Sequence, residues 1–535
     1  MNDDEYNAIE PPVAPASTTT AVPKASSDGD AAMKAKGEPV LQVIPGFEEV
    51  GEDVSVLVRV DMPKGTERTC SDIVCVLDVS GSMGTEATIQ GASGASESNG
   101  LTLLDVAKHG VKTVINTLGP EDRFSVVAFD HNTEVLFELT TMDDAGKGMA
   151  IEKMDALRQR GATNIWGGLE QGLEVLKRGS AGSSRLGHVI LLTDGQTTNR
   201  DTCIPSLVEY KAKHEGLPCT IHTFGFGYNI DSKLLVEMAS QGSGTYSFIP
   251  DAGFVGTVFV NIMSNLLVIM ARDAYLDLEP DSEAVITGVR GGVTAMDTGS
   301  GQKRVSLGTL HYGQSRDTVL QMSVKRKGDI YLVAALSYEL PGGRKESPAF
   351  VEGRDPGSAA DVAKVQPEFY RARFAETIPQ AMEVGVPDSV PFRTTDVVQG
   401  DLEKASGMIA GLAKEISESE SASSKQMNAL LTDIQGQTTE AFSKKEWYDK
   451  WGRHYLPSLM FAHRLQICNN FKDPGVQEYG GDLFKELQDM ADEVFNTLPP
   501  PVPTGGPNLS RWPSTNTNAT TTTVSMAAYN DRSAG

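Results

Sequence analysis

Between Asp72 and Ala271 short apolar runs alternate with stretches whose apolar residues recur at helical spacing. Four runs, IVCVLD (73–78), FSVVAFD (124–130), HVILLTD (188–194) and CTIHTFGFG (219–227), are continuous, rich in β-branched residues and bounded by Gly or Asp. That pattern predicts strands buried on both faces. Leu104, Ala107, Val111, Val114 and Leu118 mark a helix between the first two, and 166–178, 204–215, 231–241 and 254–271 read as further helices. Asp231 and Asp251 stand where N-caps belong. EVLFEL (134–139) is expected to return as an antiparallel edge strand. Strand–helix alternation of this length predicts a doubly wound, Rossmann-like α/β unit with a mostly parallel sheet, here bounded at residues 69–271.

After Ala271 the period changes. AYLDLEP, AVITGVRG, KRVSLGTL, DTVLQMSVKR and IYLVAALSYEL are short alternating runs separated by turn residues, which predicts an antiparallel β-sandwich over 272–352. Two similar runs, VLQVIP (40–45) and VSVLVRVDM (54–62), precede the α/β unit. Residues 39–68 are expected to complete the same sandwich, making the α/β unit an insertion between its strands. From about Val365 the pattern is helical to residue 498, with connections at 386–391 and in the Ser-rich stretch 417–424.

Charge changes this picture only locally. The 535 residues hold 47 basic and 71 acidic side chains, a net −24. The termini, 1–38 and 499–535, lack periodic apolar residues and are expected to be disordered tails. They carry −4 and +1, so the acidity belongs to the residues between them. An acidic surface of this kind excludes a protein built to hold nucleic-acid phosphates. Five cysteines with no C-x-x-C pair make neither a disulfide framework nor a zinc site. No basic-then-apolar leader opens the sequence, and no apolar run reaches the ~18–20 residues of a membrane helix. The expectation is a cytoplasmic protein with no membrane insertion, in which the tail sites Asn508 and Asn518 stay unglycosylated.

The chemistry gathers at strand ends. The first strand runs into Asp78-Val79-Ser80-Gly81-Ser82-Met83-Gly84, and the third ends in Asp194-Gly195. Ligands in open α/β sheets sit beyond the carboxyl ends of the strands, so both carboxylates fall on one edge. Ser80 and Ser82 follow Asp78 at two-residue spacing, and Thr163 in RGATNIWGG supplies a further hydroxyl. Two carboxylates with neutral hydroxyls form a hard oxygen site for Mg²⁺, Mn²⁺ or Ca²⁺, with Mg²⁺ preferred. The charges of the two aspartates only just balance the ion, which leaves it attractive to one more carboxylate.

Asp78-x-Ser80-x-Ser82, Thr163 and Asp194, in this order and at these strand ends, resemble the metal-ion-dependent adhesion site of von Willebrand factor type A domains. The run WGRHYLPSLMFAHRLQICNNFKDPGVQEYGGDLF (451–484) resembles the Vwaint region that accompanies such domains, sometimes beside a U-box or an intein-like Hint module. The resemblance implies that Ser80, Ser82 and Thr163 bind the ion directly and that Asp78 and Asp194 do so partly through water. It implies a divalent-metal-dependent protein interaction module whose cation coordinates an Asp or Glu carboxylate of a partner. Gly81, Met83, Gly84, Asn164 and Gly195 are the expected partner contacts around the ion. The polar insertion between Gly84 and Leu101 reads as a surface loop beside the site.

Neither a RING-type Cys/His cluster nor an obvious U-box is present, and no Hint-type initiating cysteine lies between 270 and 365. Nucleophile-elbow and P-loop signatures are absent as well. A non-enzymatic role is therefore expected. The alternative is a scaffold in ubiquitin-linked turnover, without the ligase module. His454, His463 and Cys468 read as packing residues.

Overall fold

A computed structural model describes residues 37–65, 68–90, 96–180, 184–195, 197, 199–341, 343–385, 400–469 and 473–503. The tails expected to be disordered lie outside these residues apart from 37–38 and 499–503, and so does the connection at 386–391.

The runs that alternate with helices form one six-stranded sheet. Its spatial order is Tyr246–Ile249, Thr220–Phe226, Leu186–Thr193, Ser71–Asp78, Arg123–Phe129 and Thr133–Thr141. The first five are parallel, and the last is the antiparallel edge that EVLFEL predicted. Pleating sends alternate residues of the central strand into two separate cores. Ile73, Cys75 and Leu77 join one with the helices Leu103–Thr117 and Val255–Leu267. Val74 and Val76 join the other with Ile165–Gly179 and Ser232–Gln241. The unit is thus doubly wound. Asp231 caps its helix by accepting from the Leu234 amide at 3.0 Å. Asp251 accepts from the Gly253 amide at 2.8 Å, above a short 3₁₀ turn that leads into Val255–Leu267.

Three elements depart from the sequence pattern. Asp144–Ala156 is a helix whose Gly- and Lys-rich sequence carries almost no apolar stripe; Ala150 and Met154 are its buried apolar residues, Ile151 packs partly buried against the same core, and Asp143 caps it. The insertion after Gly84 forms a hairpin, Glu86–Gln90 paired with Ser96–Thr102, instead of a loop; residues 91–95 at its tip lie outside the described set. The helix expected to reach 271 ends at Leu267, because Ile269 already pairs with His311 as the next strand.

Helix Ile165–Gly179 lies flush on the sheet through glycines. A Cβ on Gly168 would fall 2.6 Å from both Cγ and Cδ1 of Phe129, and one on Gly172 2.5 Å from Val76 Cγ2. These atoms sit close to buried strand backbone and have little room to yield. Gly168→Ala is expected to lose about 1–3 kcal/mol through overpacking, outweighing the helix-propensity gain of about 1 kcal/mol. Urea denaturation reads the sign, and a stabilised variant would refute the close-packing account.

Two antiparallel sheets stand beside this unit. The first has the order Val40–Pro45, Val54–Asp61, Ser315–Val324 and Ala284–Val289, with Val58 opposite both Val43 and Thr318. Strands before and after the α/β unit therefore share one sheet, and the α/β unit is inserted between them. The second has the order Ala295–Gly299, Gln302–His311, Ile269–Pro280, Leu332–Leu340 and Gly343–Gly353. Val56, Val58 and Val60 of the first sheet pack in one core with Leu276, Leu278, Val305 and Leu336 of the second.

The C-terminal region is helical, with main helices Ala359–Gly385, Leu402–Glu418, Lys425–Asp433, Arg453–Leu465 and Asp482–Thr497. Phe374, Ile378, Leu412, Leu456 and Leu459 extend the second core of the α/β unit, alongside Tyr246 and Phe248. His454 and His463 are buried packing residues, as expected, although both are also hydrogen-bonded. All five cysteines are free thiols, and Cys468 is buried. Among the described residues no helix is long and apolar enough to cross a membrane.

Candidate metal centre

The carboxyl edge of the six-stranded sheet collects the residues that the sequence singled out. Asp78 ends the central strand with no exposed surface, and Asp194 follows the neighbouring strand with 4% exposed. Ser80 is buried, Ser82 half-buried, and their hydroxyl oxygens stand 3.0 Å apart. Asp78 Oδ1 accepts from the Ser80 amide at 2.8 Å, which folds the turn back over the strand end.

Backbone bonds tie the loops together. The Gly81 amide donates to the Gly161 carbonyl at 3.0 Å, and the Arg160 amide to the Val79 carbonyl at 2.6 Å. The Thr197 hydroxyl donates to the Thr163 carbonyl at 3.2 Å, which links the loop carrying Thr163 to the one following Asp194. Thr163 itself is 9% exposed. All five expected ligands therefore belong to one interlocked set of loops. Gly195 takes φ +73°, and a Cβ there would lie 2.9 Å from the Asp231 amide nitrogen, so the chain turns away from Asp194 only with glycine.

The electrostatics of the set call for a cation. Burial, and then the charge of Asp194, push the Asp78 carboxyl up to about 6, against hydrogen bonds from Ser80 and Thr193 that favour its charged form. A buried, anionic strand end of this kind is relieved by a hard divalent ion, and Ser80, Ser82 and Thr163 are hydroxyl donors of the kind such an ion accepts. Among the described residues no group of three or more His, Cys, Asp or Glu side chains is arranged to hold a metal. Asp78 and Asp194 are the two carboxylates that stand with the Ser80, Ser82 and Thr163 hydroxyls at this edge.

Two residues went unread in the sequence. Thr193 donates its hydroxyl to Asp78 Oδ2 at 2.6 Å and accepts from the Gly195 amide at 3.0 Å, which bridges the two aspartate loops. Its place directly before Asp194 was the available signal. Asp130, buried at the end of FSVVAFD, accepts from the Asn132 amide at 2.7 Å and faces Arg160 at 3.4 Å. A Cβ on Gly161 would sit 2.6 Å from Asp130 Oδ2.

The expected partner contacts divide. Gly81 is exposed and Gly84 half-exposed at the edge. Met83 is fully buried in the core and offers no side chain to a partner, because the 3₁₀ turn Gly81–Gly84 points it inward. Asn164 spends its side-chain oxygen on the Gly167 amide at 3.1 Å as a helix cap, and Gly195 is buried.

This strand order makes an open α/β domain, a class whose ligands sit beyond the carboxyl ends of the strands. The family model for the von Willebrand factor type A domain matches residues 73–196, and the VWA / Hh protein intein-like (Vwaint) model matches 424–493. The chain is a von Willebrand factor type A domain protein with a Vwaint region. Domains of this type are often metal-dependent protein interaction modules. A solved von Willebrand factor type A protein from Catenulispora acidiphila aligns with a TM-score of 0.54 at 18% identity, covering 74% of this chain and 89% of that one. An uncharacterized protein of Synechocystis is 28% identical over 177 residues, which are 33% of this chain and 40% of that protein. The Arabidopsis thaliana E3 ubiquitin-protein ligase WAV3 is 26% identical over 272 residues, 48% of this chain and 32% of the ligase. The aligned stretches thus span less than half the length of either curated relative.

Proposed function

We propose that Asp78, Ser80, Ser82, Thr163 and Asp194 hold a divalent cation, Mg²⁺ in preference to Mn²⁺ or Ca²⁺, and that this edge binds an Asp or Glu carboxylate of a partner protein. The observation that carries the reading is the pair of buried carboxylates, with Asp78 raised by burial and by Asp194, set among hydroxyls at one sheet edge. The cation supplies positive charge directly at the two buried carboxylates. The chain's own residues hold the two carboxylates close together, exclude bulk water from Asp78 and keep the hydroxyls fixed through the cross-linked loops. The function is binding, not turnover.

Mg²⁺ at about 100 times its Kd is expected to stabilise the wild type by about 2.7 kcal/mol. Its affinity is expected to weaken as pH falls through about 6, because a proton on Asp78 competes with the ion. Asp194→Ala is expected to abolish both the stabilisation and Mg²⁺-dependent capture of partners while leaving the far-UV spectrum unchanged. Calorimetric titration of Mg²⁺ and a pulldown with and without EDTA check this; capture that ignores EDTA would overturn it. A scaffold role in ubiquitin-linked turnover draws only on the Arabidopsis ligase and predicts co-purification with ubiquitin machinery that survives Asp194→Ala.

A further inference from the structure

The metal edge does not stop at the α/β unit. Two strands from Asp78 in the sheet, Thr220–Phe226 ends in a loop of residues 227–231 on the same edge. That loop backs directly onto Gly195, where a Cβ would meet Asp231 N at 2.9 Å and Ile230 Cβ at 3.4 Å. The C-terminal helical region grips the loop from its other side. His454 lies with Nδ1 2.9 Å from Ser232 Oγ and Nε2 3.1 Å from the Tyr228 carbonyl. Burial and the nearby Arg453 push this imidazole down to about 3, so it docks as a neutral ring.

This docking brings two cations to the edge. Lys450 sits over the Tyr228 ring, 5.3 Å from its centroid, and Arg453 directly precedes His454. Both side chains are exposed, and neither forms an ion pair with a described residue. The opposite flank of the centre differs. There Arg160 already pairs with Glu134 at 2.6 Å and Asp130 at 3.4 Å, and is neutralised. On the loop itself Arg200 is bonded to Asp231. Arg158, exposed on the opposite flank, donates to the Asp155 and Leu157 carbonyls, whereas Lys450 and Arg453 stand close together as two cations without an ion-pair partner among the described residues. The chain's net −24 does not cancel their charge at a distance, because charges beyond about 8 Å are largely screened at physiological salt.

We propose that Lys450 and Arg453 form a second anchor for an acidic segment of a partner protein. One carboxylate of that segment meets the cation at Asp78 and Asp194, and another meets this pair. The inference rests on the metal reading above. Adjacent strands lie about 4.8 Å apart, so two strands separate the anchors by about 10 Å or a little more. An extended segment covers about 3.3 Å per residue. The second acid therefore falls about three to five residues from the metal-bound one. An exposed ion pair contributes modestly, and two together correspond to about threefold to tenfold in affinity.

The test is selection from a random peptide phage library on the immobilised full chain in Mg²⁺, with elution by EDTA. The wild type is expected to enrich peptides carrying two acidic residues three to five apart. The double variant Lys450→Glu/Arg453→Glu is expected to enrich peptides with the first acid alone, and to bind wild-type-selected peptides about tenfold more weakly. The milder Lys450→Gln/Arg453→Gln is expected to give an intermediate loss, with thermal melting unchanged in both. Metal-dependent enrichment of single-acid peptides by the wild type overturns the second anchor and leaves the metal reading standing, as does equal binding of two-acid peptides by wild type and variant. Enrichment that EDTA does not elute overturns the metal reading itself.

Discussion

Replacing Arg371 with alanine is expected to destabilise the protein by about 3–5 kcal/mol, the cost of breaking a buried ion pair from one side. Arg371 lies in helix Ala359–Gly385 and joins three elements at once. Its Nε donates to Glu368 Oε2 at 2.5 Å, one Nη to the His463 carbonyl at 2.7 Å and the other to the Asp317 carbonyl at 3.0 Å. Around it Asp317 pairs with Arg59 at 2.7 Å, and the Gln466 side chain donates to Asp317 Oδ2 at 3.2 Å while accepting from the Asp317 amide. Strand Val54–Asp61, strand Ser315–Val324 and two helices of the C-terminal region are fastened together at this point.

Burial and the nearby Asp317 already raise the Glu368 carboxyl; losing Arg371 leaves it without its main counter-charge. Urea denaturation is expected to show a lower midpoint at unchanged slope. The paired change Arg371→Met with Glu368→Leu is expected to recover most of the loss, because no lone charge remains. A single variant within 0.5 kcal/mol of the wild type, as expected for the exposed pair Lys445–Asp449, would refute a clamping role.

Acid is the second large effect. His222, His311 and His454 are pushed down to about 3 by burial, and His188 falls well below the ordinary value for the same reason. Each stays neutral in the folded chain and takes a proton near 6.5 once unfolded, so its contribution is complete above 6.5 and is lost as pH falls toward 3. Two aspartates act in the opposite direction. Burial raises Asp78 to about 6 and Asp473 to about 7, the latter with help from Asp433. Folded, they take protons before their unfolded counterparts do, which adds stability on acidification from those values toward 3.8.

Other groups act on both sides: burial also lowers His109, and it raises Asp61, Asp251, Glu368 and Glu440. The histidine contribution is therefore isolated by substitution, against the wild-type slope of stability with pH in EDTA. His222→Gln is expected to make stability fall less steeply on acidification, by about 1.4 kcal/mol per pH unit below 6.5. Urea titrations at pH 6, 5 and 4 of both proteins measure the difference, and identical slopes would contradict a buried neutral His222.

The candidate site was legible because its residues are tied to local sequence. Asp78 and Asp194 each close an apolar strand, and in a parallel sheet strand direction alone puts both on one edge. Ser80 and Ser82 follow by turn spacing, and Thr163 precedes a helix whose first residue pattern is visible. Thr193 and Asp130 escaped notice because a strand-terminal residue reads the same whether it binds, buttresses or only ends the strand. Met83 was misread for a related reason. Its neighbours face the edge, and only the 3₁₀ turn decides that its side chain faces the core.

The helix Asp144–Ala156 and the hairpin Glu86–Gln90/Ser96–Thr102 were hidden by weak patterning, since a cap and neighbouring contacts stabilise what periodicity does not announce. The inverse holds for the strands 40–62, whose alternation was plain but whose partner, Ser315–Val324, lies more than 250 residues away.

Apolar period, turn residues and strand direction, all properties of neighbouring residues, determined the doubly wound sheet and the acidic, hydroxyl-lined edge from sequence alone. What only the tertiary structure decided depends on segments distant in the chain. It selected Ser315–Val324 as the strand that pairs with Val54–Asp61 across the inserted domain, and placed Arg371 beside that pair. It also brought the helix carrying His454, with Lys450 and Arg453, against the loop 227–231. The physical reason is that a long-range contact is fixed by which buried surfaces find each other, and no local spacing encodes that choice.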